Sequence, residues 1–354
     1  MATTVTDRVV PFTTADGFTG NVIQVRGDRP PTKGPVLLVH GAGVRGNLFR
    51  PPNHPNFVEY LLDCGYDVWL ENWRASIDLG KDPPLWTLDQ AGLFDHPAAV
   101  KTVCRESGHK TIKAVIHCQG STSFTISAVC GLVPEVTTIV SNAVSLHPIV
   151  PRATYIKSKL ALKLVSSLTD YLDAQWGTTV PPPNAMAKMI LLMTRIFHHE
   201  CFNLVCKLSS FSYGVGLQIP ILWRHENLTA EVHEWIKGEF GKVPMRFFQQ
   251  MDRCFSIGHL VKFETGPDYK DLPDDYTAQP PKADARFAFF AGELNACFRK
   301  DSQETSYDYF KRFRPKQDMP HTLHILPGYG HLDMFIGKNA AQDVFPIMAA
   351  ELEK

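Results

Sequence analysis

Unbroken apolar runs recur along the chain, each closed by glycine or by a stretch with helical spacing. Val36 to His40 is the first, and it ends in His40-Gly41-Ala42-Gly43. A run without polar interruption predicts a strand buried on both faces, and the glycines mark the turn out of it. Asn56 to Cys64 then carries apolar residues at Phe57, Val58, Leu61 and Leu62, the periodicity of a helix closed by Gly65. Strands are predicted at Tyr66–Leu70, Lys113–His117, Val136–Val140, Arg286–Phe290 and Thr322–Leu326, with a helix at Ala98–Ser107 between the second and third. Strand and helix in alternation imply crossover connections and a mostly parallel sheet flanked by helices, an α/β architecture.

The alternation breaks once, over a long interval. From about Pro148 to Pro281 the pattern is largely helical, with predicted helices at Tyr155–Leu172, Asn184–Phe197, Ala230–Gly238 and Met245–Phe255, punctuated by Pro181-Pro-Pro183 and Pro280-Pro281. An excursion of this size late in a sheet reads as a helical cap over the strands' C-terminal edge. The expected division is therefore 1–147 and 284–354 for the two parts of the core, and 148–283 for the cap.

Composition narrows the function. Lys plus Arg (36) equals Asp plus Glu (36), so the chain has no bulk attraction for nucleic acid or anionic membrane. Met1 to Gly17 is polar and Thr-rich, without the basic and apolar regions of a secretory signal. Met186–Phe197 is too short to span a bilayer and carries Lys188 and Arg195. Eight cysteines without framework spacing argue against a disulfide scaffold. The expectation is a cytoplasmic protein with no stable membrane anchor and no nucleic-acid partner. The charge balance favours a small or uncharged partner, and homo-oligomerisation stays open.

Three places carry candidate chemistry. In Val115-Ile-His-Cys118-Gln-Gly120-Ser a buried strand runs straight into a helix, with a nucleophile at the corner and glycine two positions on. That is a nucleophile elbow, in which a tight turn lifts one side chain above the sheet. Ile116 and Cys118 depart from the usual G-x-S-x-G. A thiolate at a helix N-terminus beside an imidazole has a lowered pKa, so a histidine is required. His331 follows the last strand in Pro327-Gly-Tyr-Gly-His331, whereas His324 lies within that strand and is structural. Asn295, after the preceding strand, sits where an orienting aspartate is usual, with Glu293 and Asp301 as alternatives. An amide suffices if thiolate and imidazolium already form an ion pair, as in the Cys-His-Asn set of papain-like proteases. The expected oxyanion hole comes from the backbone N–H groups of Gln119 and Ala42. Phe197-His-His-Glu-Cys201 does not read as a metal site, because adjacent histidines face different ways, and Cys201 and Cys206 are wrongly spaced for a zinc knuckle. Asp95 is expected to hold loops together. Nothing calls for a metal or an organic cofactor.

The order Cys118, Asn295, His331 resembles that of the α/β-hydrolases over nearly the whole chain. Tyr66–Arg74 and Phe94–Ala98 resemble stretches of the acid lipases. His117–Ser121, Gly292–Phe298 and Gly330–Met334 are similar to hydrolase domains associated with cholesterol-oxidase-like flavoenzymes, and a cysteine at the elbow resembles polyhydroxyalkanoate synthases and dienelactone hydrolases. The resemblance implies a small, hydrophobic acyl substrate and cleavage of its ester, lactone or thioester bond through a Cys118 thioester. Transfer of the acyl group to an alcohol or amine is one alternative. A non-covalent lyase or cyclase, or a ligand-binding protein on a hydrolase scaffold, is the other.

Overall fold

The computed structural model describes residues 5–80, 84–214, 221–313 and 319–354. Its strands, in chain order, are β1 (Thr6–Thr13), β2 (Thr19–Arg26), β3 (Pro35–Val39), β4 (Asp67–Asn72), β5 (Ile112–His117), β6 (Val136–Asn142), β7 (Tyr171–Asp173), β8 (Lys242–Pro244), β9 (Arg286–Gly292) and β10 (Thr322–Leu326). Among the described residues, eight of them form one sheet in the order β1-β2-β4-β3-β5-β6-β9-β10. From β4 to β10 neighbouring strands are parallel, while β1 and β2 join antiparallel at one edge.

The six strands expected from the apolar runs are present, and β3, β4 and β9 are buried along their whole length. Two strands of the main sheet, β1 and β2, were not expected, nor were β7 and β8. The β1–β2 hairpin is an edge whose β1 is mostly exposed, so it lacks the apolar run that marks the central strands. The helices Leu204–Tyr213, Lys300–Phe313 and Phe345–Glu353 were also not expected. The helix expected over Tyr155–Leu172 instead spans Arg152–Ser166, and the chain beyond it enters β7, which pairs with β8 in a separate ribbon.

Between β6 and β9 the chain makes its long excursion, with helices Arg152–Ser166, Ala185–Phe197, Leu204–Tyr213, Ala230–Trp235 and Met245–Ile257. No helix of the described residues is long and apolar enough to cross a membrane.

Polar groups buried under the sheet edge lock the loops there. The Arg74 guanidinium pairs with Asp95 (2.6 Å), and the Arg74 backbone N–H also donates to that carboxylate (2.9 Å). His96 bridges Glu71 (2.8 Å) and Ser123 (2.7 Å). The Trp73 indole N–H donates to the carbonyl of His40 (3.0 Å), fixing the end of the β3 run.

That same carbonyl sets one of the tightest contacts in the fold. A Cβ on Gly120 would lie 2.1 Å from the His40 oxygen, so only glycine lets the helix Cys118–Val129 pass the β3 exit at this distance. Gly120→Ala is expected to cost more than about 2 kcal/mol in urea unfolding, or to prevent folding. Gly238→Ala, where an added methyl meets nothing within 4 Å, is the matched control and should stay within about 0.5 kcal/mol of the parent. Equal midpoints for the two variants would contradict the packing argument.

Candidate active site

At the corner between β5 and the helix Cys118–Val129, Cys118 has φ of 56°. A non-glycine residue in the left-handed region costs about 1–3 kcal/mol and persists where the surrounding structure over-determines it. Here the strand before it and the helix after it are both buried, and the turn has no room to relax. The side chain faces a small chamber lined by Gly41, Ala42, His117, Tyr213 and His331. A methyl on Gly41 would sit 3.0 Å from the Cys118 Cβ, so the β3 exit loop lies directly against the sulfur.

Two backbone N–H groups aim at that sulfur, those of Gln119 and Ala42. They come from the elbow and from the β3 exit, the two segments that the Gly120 contact holds together. On the other side of the chamber, a ring nitrogen of His331 lies within 4.8 Å of the Cys118 sulfur. His331 follows β10, and its loop packs tightly on the end of β9: a Cβ on Gly292 would lie 2.0 Å from the Gly330 carbonyl oxygen.

Asn295 reaches His331, its amide nitrogen 3.1 Å from Nδ1. Of the two alternatives, Glu293 is exposed and Asp301 pairs with Arg299 (3.1 Å) at the start of the next helix. The orientation of the Asn295 amide follows from its other contacts. Its Oδ1 accepts from the backbone N–H groups of Cys297 (3.0 Å) and Phe298 (3.1 Å). Reversal would set an NH2 group against two donors. The amide therefore donates to Nδ1 of His331, so the neutral ring carries its own proton on Nε2. That nitrogen has no hydrogen-bond partner among the described residues.

The expected thiolate–imidazolium pair is not what this environment favours. Burial pushes the Cys118 thiol up to about 12, against the opposing pull of the Gln119 and Ala42 N–H groups. Burial also takes the His331 imidazole down to about 3. Burial thus disfavours the charged form of both groups and favours a neutral thiol beside a neutral imidazole.

The sequence reading gave no role to two neighbours. His117, at the end of β5, packs its ring against that of His331 (centroids 4.8 Å apart) and contacts Asn142 (2.8 Å). Tyr213, at the end of the helix Leu204–Tyr213, donates its hydroxyl to the Ala42 carbonyl (2.7 Å) and so steadies the β3 exit loop. The signal for His117 was a polar residue inside a buried strand. Tyr213 carried none, since its partner lies 171 positions away. Lys157 holds the same helix end by donating to the carbonyls of Phe211 and Gly214 (2.5 Å), and burial brings its ammonium down to about 7.

Tyr213 also lines a second, larger cleft of about 100 Å³, together with Leu162, Val165, Phe247, Met251 and Phe298. Its walls are almost wholly apolar, and Gln119 and Cys297 bring it to the elbow. His324, by contrast, stacks on Phe290 (4.6 Å) and contacts Glu351 (2.8 Å), away from this chamber.

A parallel sheet with this strand order, and a single strained residue at the β5 corner, define the α/β-hydrolase fold. Solved structures that share it include a thermophilic esterase from Thermogutta terrifontis (TM-score 0.55, 14% identity, 98% of each chain covered). An epoxide hydrolase from Vigna radiata matches with TM-score 0.57 at 14% identity, over 99% of this chain and 98% of that one. In sequence the chain is similar to human lipase member K, 22% identical over 97% of this chain and 86% of the relative. It is also similar to sterol esterase 2 of Saccharomyces cerevisiae, 26% identical over 46% of this chain and 33% of that protein. No protein-family model matches the chain. The lipase relatives and the hydrolase architecture together place it in the α/β-hydrolase superfamily.

The thiol's titration is directly measurable. With a pKa near 12, the thiolate fraction at pH 8 is about 10⁻⁴. Alkylation of Cys118 by iodoacetamide, followed by peptide mass spectrometry, is expected to rise about tenfold per pH unit up to the alkaline limit of the folded protein. A plateau reached below pH 8 would mean that an ion pair exists after all.

Proposed function

We propose that the chain cleaves carboxylic esters with an apolar acyl group, Cys118 serving as nucleophile. Ester-cleaving action is the common ground of its lipase and esterase relatives, and the chain is an enzyme of that α/β-hydrolase type. What carries the assignment of Cys118 is the convergence of the Gln119 and Ala42 N–H groups on its strained sulfur. Those donors are where a carbonyl oxygen gains charge when an acyl carbon is attacked from that position. The apolar cleft next to the elbow takes the acyl chain. The excursion between β6 and β9 acts as the cap that forms this cleft.

In the forward step the sulfur forms a bond to the acyl carbon while its proton passes to Nε2 of His331, once the ring proton has shifted to Nδ1, and the oxyanion is held by the two N–H groups. Collapse expels the alcohol, which takes a proton, and leaves a thioester on Cys118. Water or a second hydroxyl or amine then attacks the thioester, giving hydrolysis or transfer.

His331 is the base within reach, but its resting tautomer opposes the task. A ring with its proton on Nε2 donates toward the sulfur and cannot accept from it. Replacing the carboxylate of a Ser-His-Asp triad by an amide imposes this same inversion and lowers kcat about 10⁴-fold. The Asn295 amide therefore marks a hydrolase working far below what its scaffold allows. It also favours a second reading, in which the scaffold binds an acyl ligand, or acts on it without a covalent step.

One substitution separates these readings. Asn295→Asp can keep one oxygen on the Cys297 and Phe298 N–H groups and offer the other to Nδ1–H, which frees Nε2 to accept a proton. Hydrolysis of p-nitrophenyl esters of graded chain length is expected to rise about 10²–10³-fold in kcat/KM. Cys118→Ala should lower it by at least about 10³-fold and abolish the acyl adduct seen by intact mass after rapid quench. Turnover that survives Cys118→Ala but not His331→Ala would establish the non-covalent reading instead. An Asn295→Asp enzyme no faster than the parent would refute the tautomer argument.

A further inference from the structure

Away from the elbow, the excursion brings together four side chains of metal-binding type. Cys201 lies before the helix Leu204–Tyr213, Cys206 lies in its first turn, His225 in the short turn His225–Asn227, and His233 in the helix Ala230–Trp235. One donor atom from each falls within 4.8 Å of every other, and the Cys206 sulfur lies 3.3 Å from Nε2 of His225. Ligands of one tetrahedral zinc ion, at about 2.3 Å for sulfur and about 2.0 Å for nitrogen, stand about 3.3–3.8 Å apart. The four atoms are therefore already close to the edges of such a tetrahedron.

We propose that Cys201, Cys206, His225 and His233 form a structural Cys2His2 site for one zinc ion. Two thiolates and two neutral imidazoles are a donor set of zinc-preferring softness that fills four positions and leaves none open for water. They also cancel the ion's charge, as a half-buried site requires. On binding, two thiols lose their protons to solvent and two Zn–S and two Zn–N bonds form.

The surroundings are organised for the task. Asn203 ties the frame together, its Oδ1 accepting from the Cys206 backbone N–H (3.2 Å) and its amide donating to the carbonyl of His233 (2.9 Å). Nε2 of His233 is buried and has no hydrogen-bond partner among the described residues, a vacancy that a metal bond would fill. The two sulfurs face each other across the cluster, with the His225 ring beside Cys206. All eight cysteines are free thiols.

The sequence reading set Cys201 and Cys206 aside as wrongly spaced and gave His225 and His233 no role, and the reason is geometric. Cys201-x4-Cys206 does not have the spacing of a zinc knuckle although structural zinc sites in general use x2–4, and His225-x7-His233 is longer than the x3–5 of familiar motifs. The turn at His225–Asn227 and the start of the next helix shorten that path in space, so the linear spacing hides the cluster. The histidine pair that the sequence offered does diverge: His198 is buried against Phe211, and His199 is exposed. Zinc here would pin the start of the helix whose far end places Tyr213 on the Ala42 carbonyl.

The full chain, purified without a histidine tag or chelator, is expected to hold about one zinc per molecule by inductively coupled plasma mass spectrometry. X-ray absorption should give two sulfur and two nitrogen neighbours at about 2.3 and about 2.0 Å. Cobalt exchanged into the site should show the intense visible bands of tetrahedral thiolate coordination. The double variant Cys201→Ser/Cys206→Ser should lose the metal, whereas Cys118→Ala should keep it, because His117, Cys118 and His331 form a separate cluster. If the double variant does not fold, the absorption spectrum of the parent still decides. A metal-free parent that gives no cobalt–thiolate bands, a Cys201–Cys206 disulfide by thiol titration, or loss of the metal in Cys118→Ala would each overturn the proposal. None of these readouts depends on turnover, so the site can fail while the esterase reading stands.

Discussion

The distance between one carbonyl and one α-carbon governs the elbow. Where the His40 oxygen meets Gly120, the end of β3 and the start of the helix after β5 are pressed together as closely as backbone allows. Because of that approach, an N–H from each segment points at the same sulfur, and Cys118 is held in a conformation it would not adopt alone. The cost of the strained residue is carried by the burial of both flanking elements and by the Trp73 hydrogen bond that anchors the carbonyl. The convergence of two N–H groups on one sulfur is thus a by-product of close packing between two backbones, which is why it needs no particular side chains.

Dryness is the second constraint, and it limits what the chamber can do. The same burial that sharpens hydrogen bonds from Gln119 and Ala42 opposes any resting charge on Cys118 or His331. An aspartate at 295 would stabilise an imidazolium that forms during reaction. An asparagine cannot, and its NH2 group decides the ring's tautomer as well. The difference between an oxygen and an NH2 at one atom therefore separates a base from a bystander, with the positions of all heavy atoms nearly unchanged.

This explains how far the sequence could be read. Buried parallel strands announce themselves, since β3, β5 and β9 need apolar residues on both faces, and the elbow and the loop after β10 follow from where those strands stop. The β1–β2 edge did not, because a half-exposed hairpin lacks such runs. The helix Lys300–Phe313 is mostly polar, with only Tyr307, Tyr309, Phe310 and Phe313 to give it a face. The proximity of Asn295 to His331 was legible from strand order. The direction of its amide was not, since it depends on two backbone N–H groups in a particular turn. Nor could an ion pair be judged in advance, since desolvation is a property of the assembled walls.

The excursion is least legible of all, and it bears on the elbow through few contacts. Tyr213 holds the Ala42 carbonyl, and the Gly241 N–H donates to Gly43 (3.0 Å), so two points far apart in the excursion grip the same exit loop. The Ala42 N–H belongs to that loop, and its aim at the sulfur is set partly from outside the sheet. A helix of ten residues is marginal by itself in water. Its placement must come from what fixes its two ends: Lys157 at the Tyr213 end, and the Cys206 turn with its sulfur and imidazole neighbours at the other. Any event that loosens either end should be felt at the Ala42 N–H facing Cys118 before it is felt in the sheet, because Tyr213 and Gly241 grip that exit loop directly.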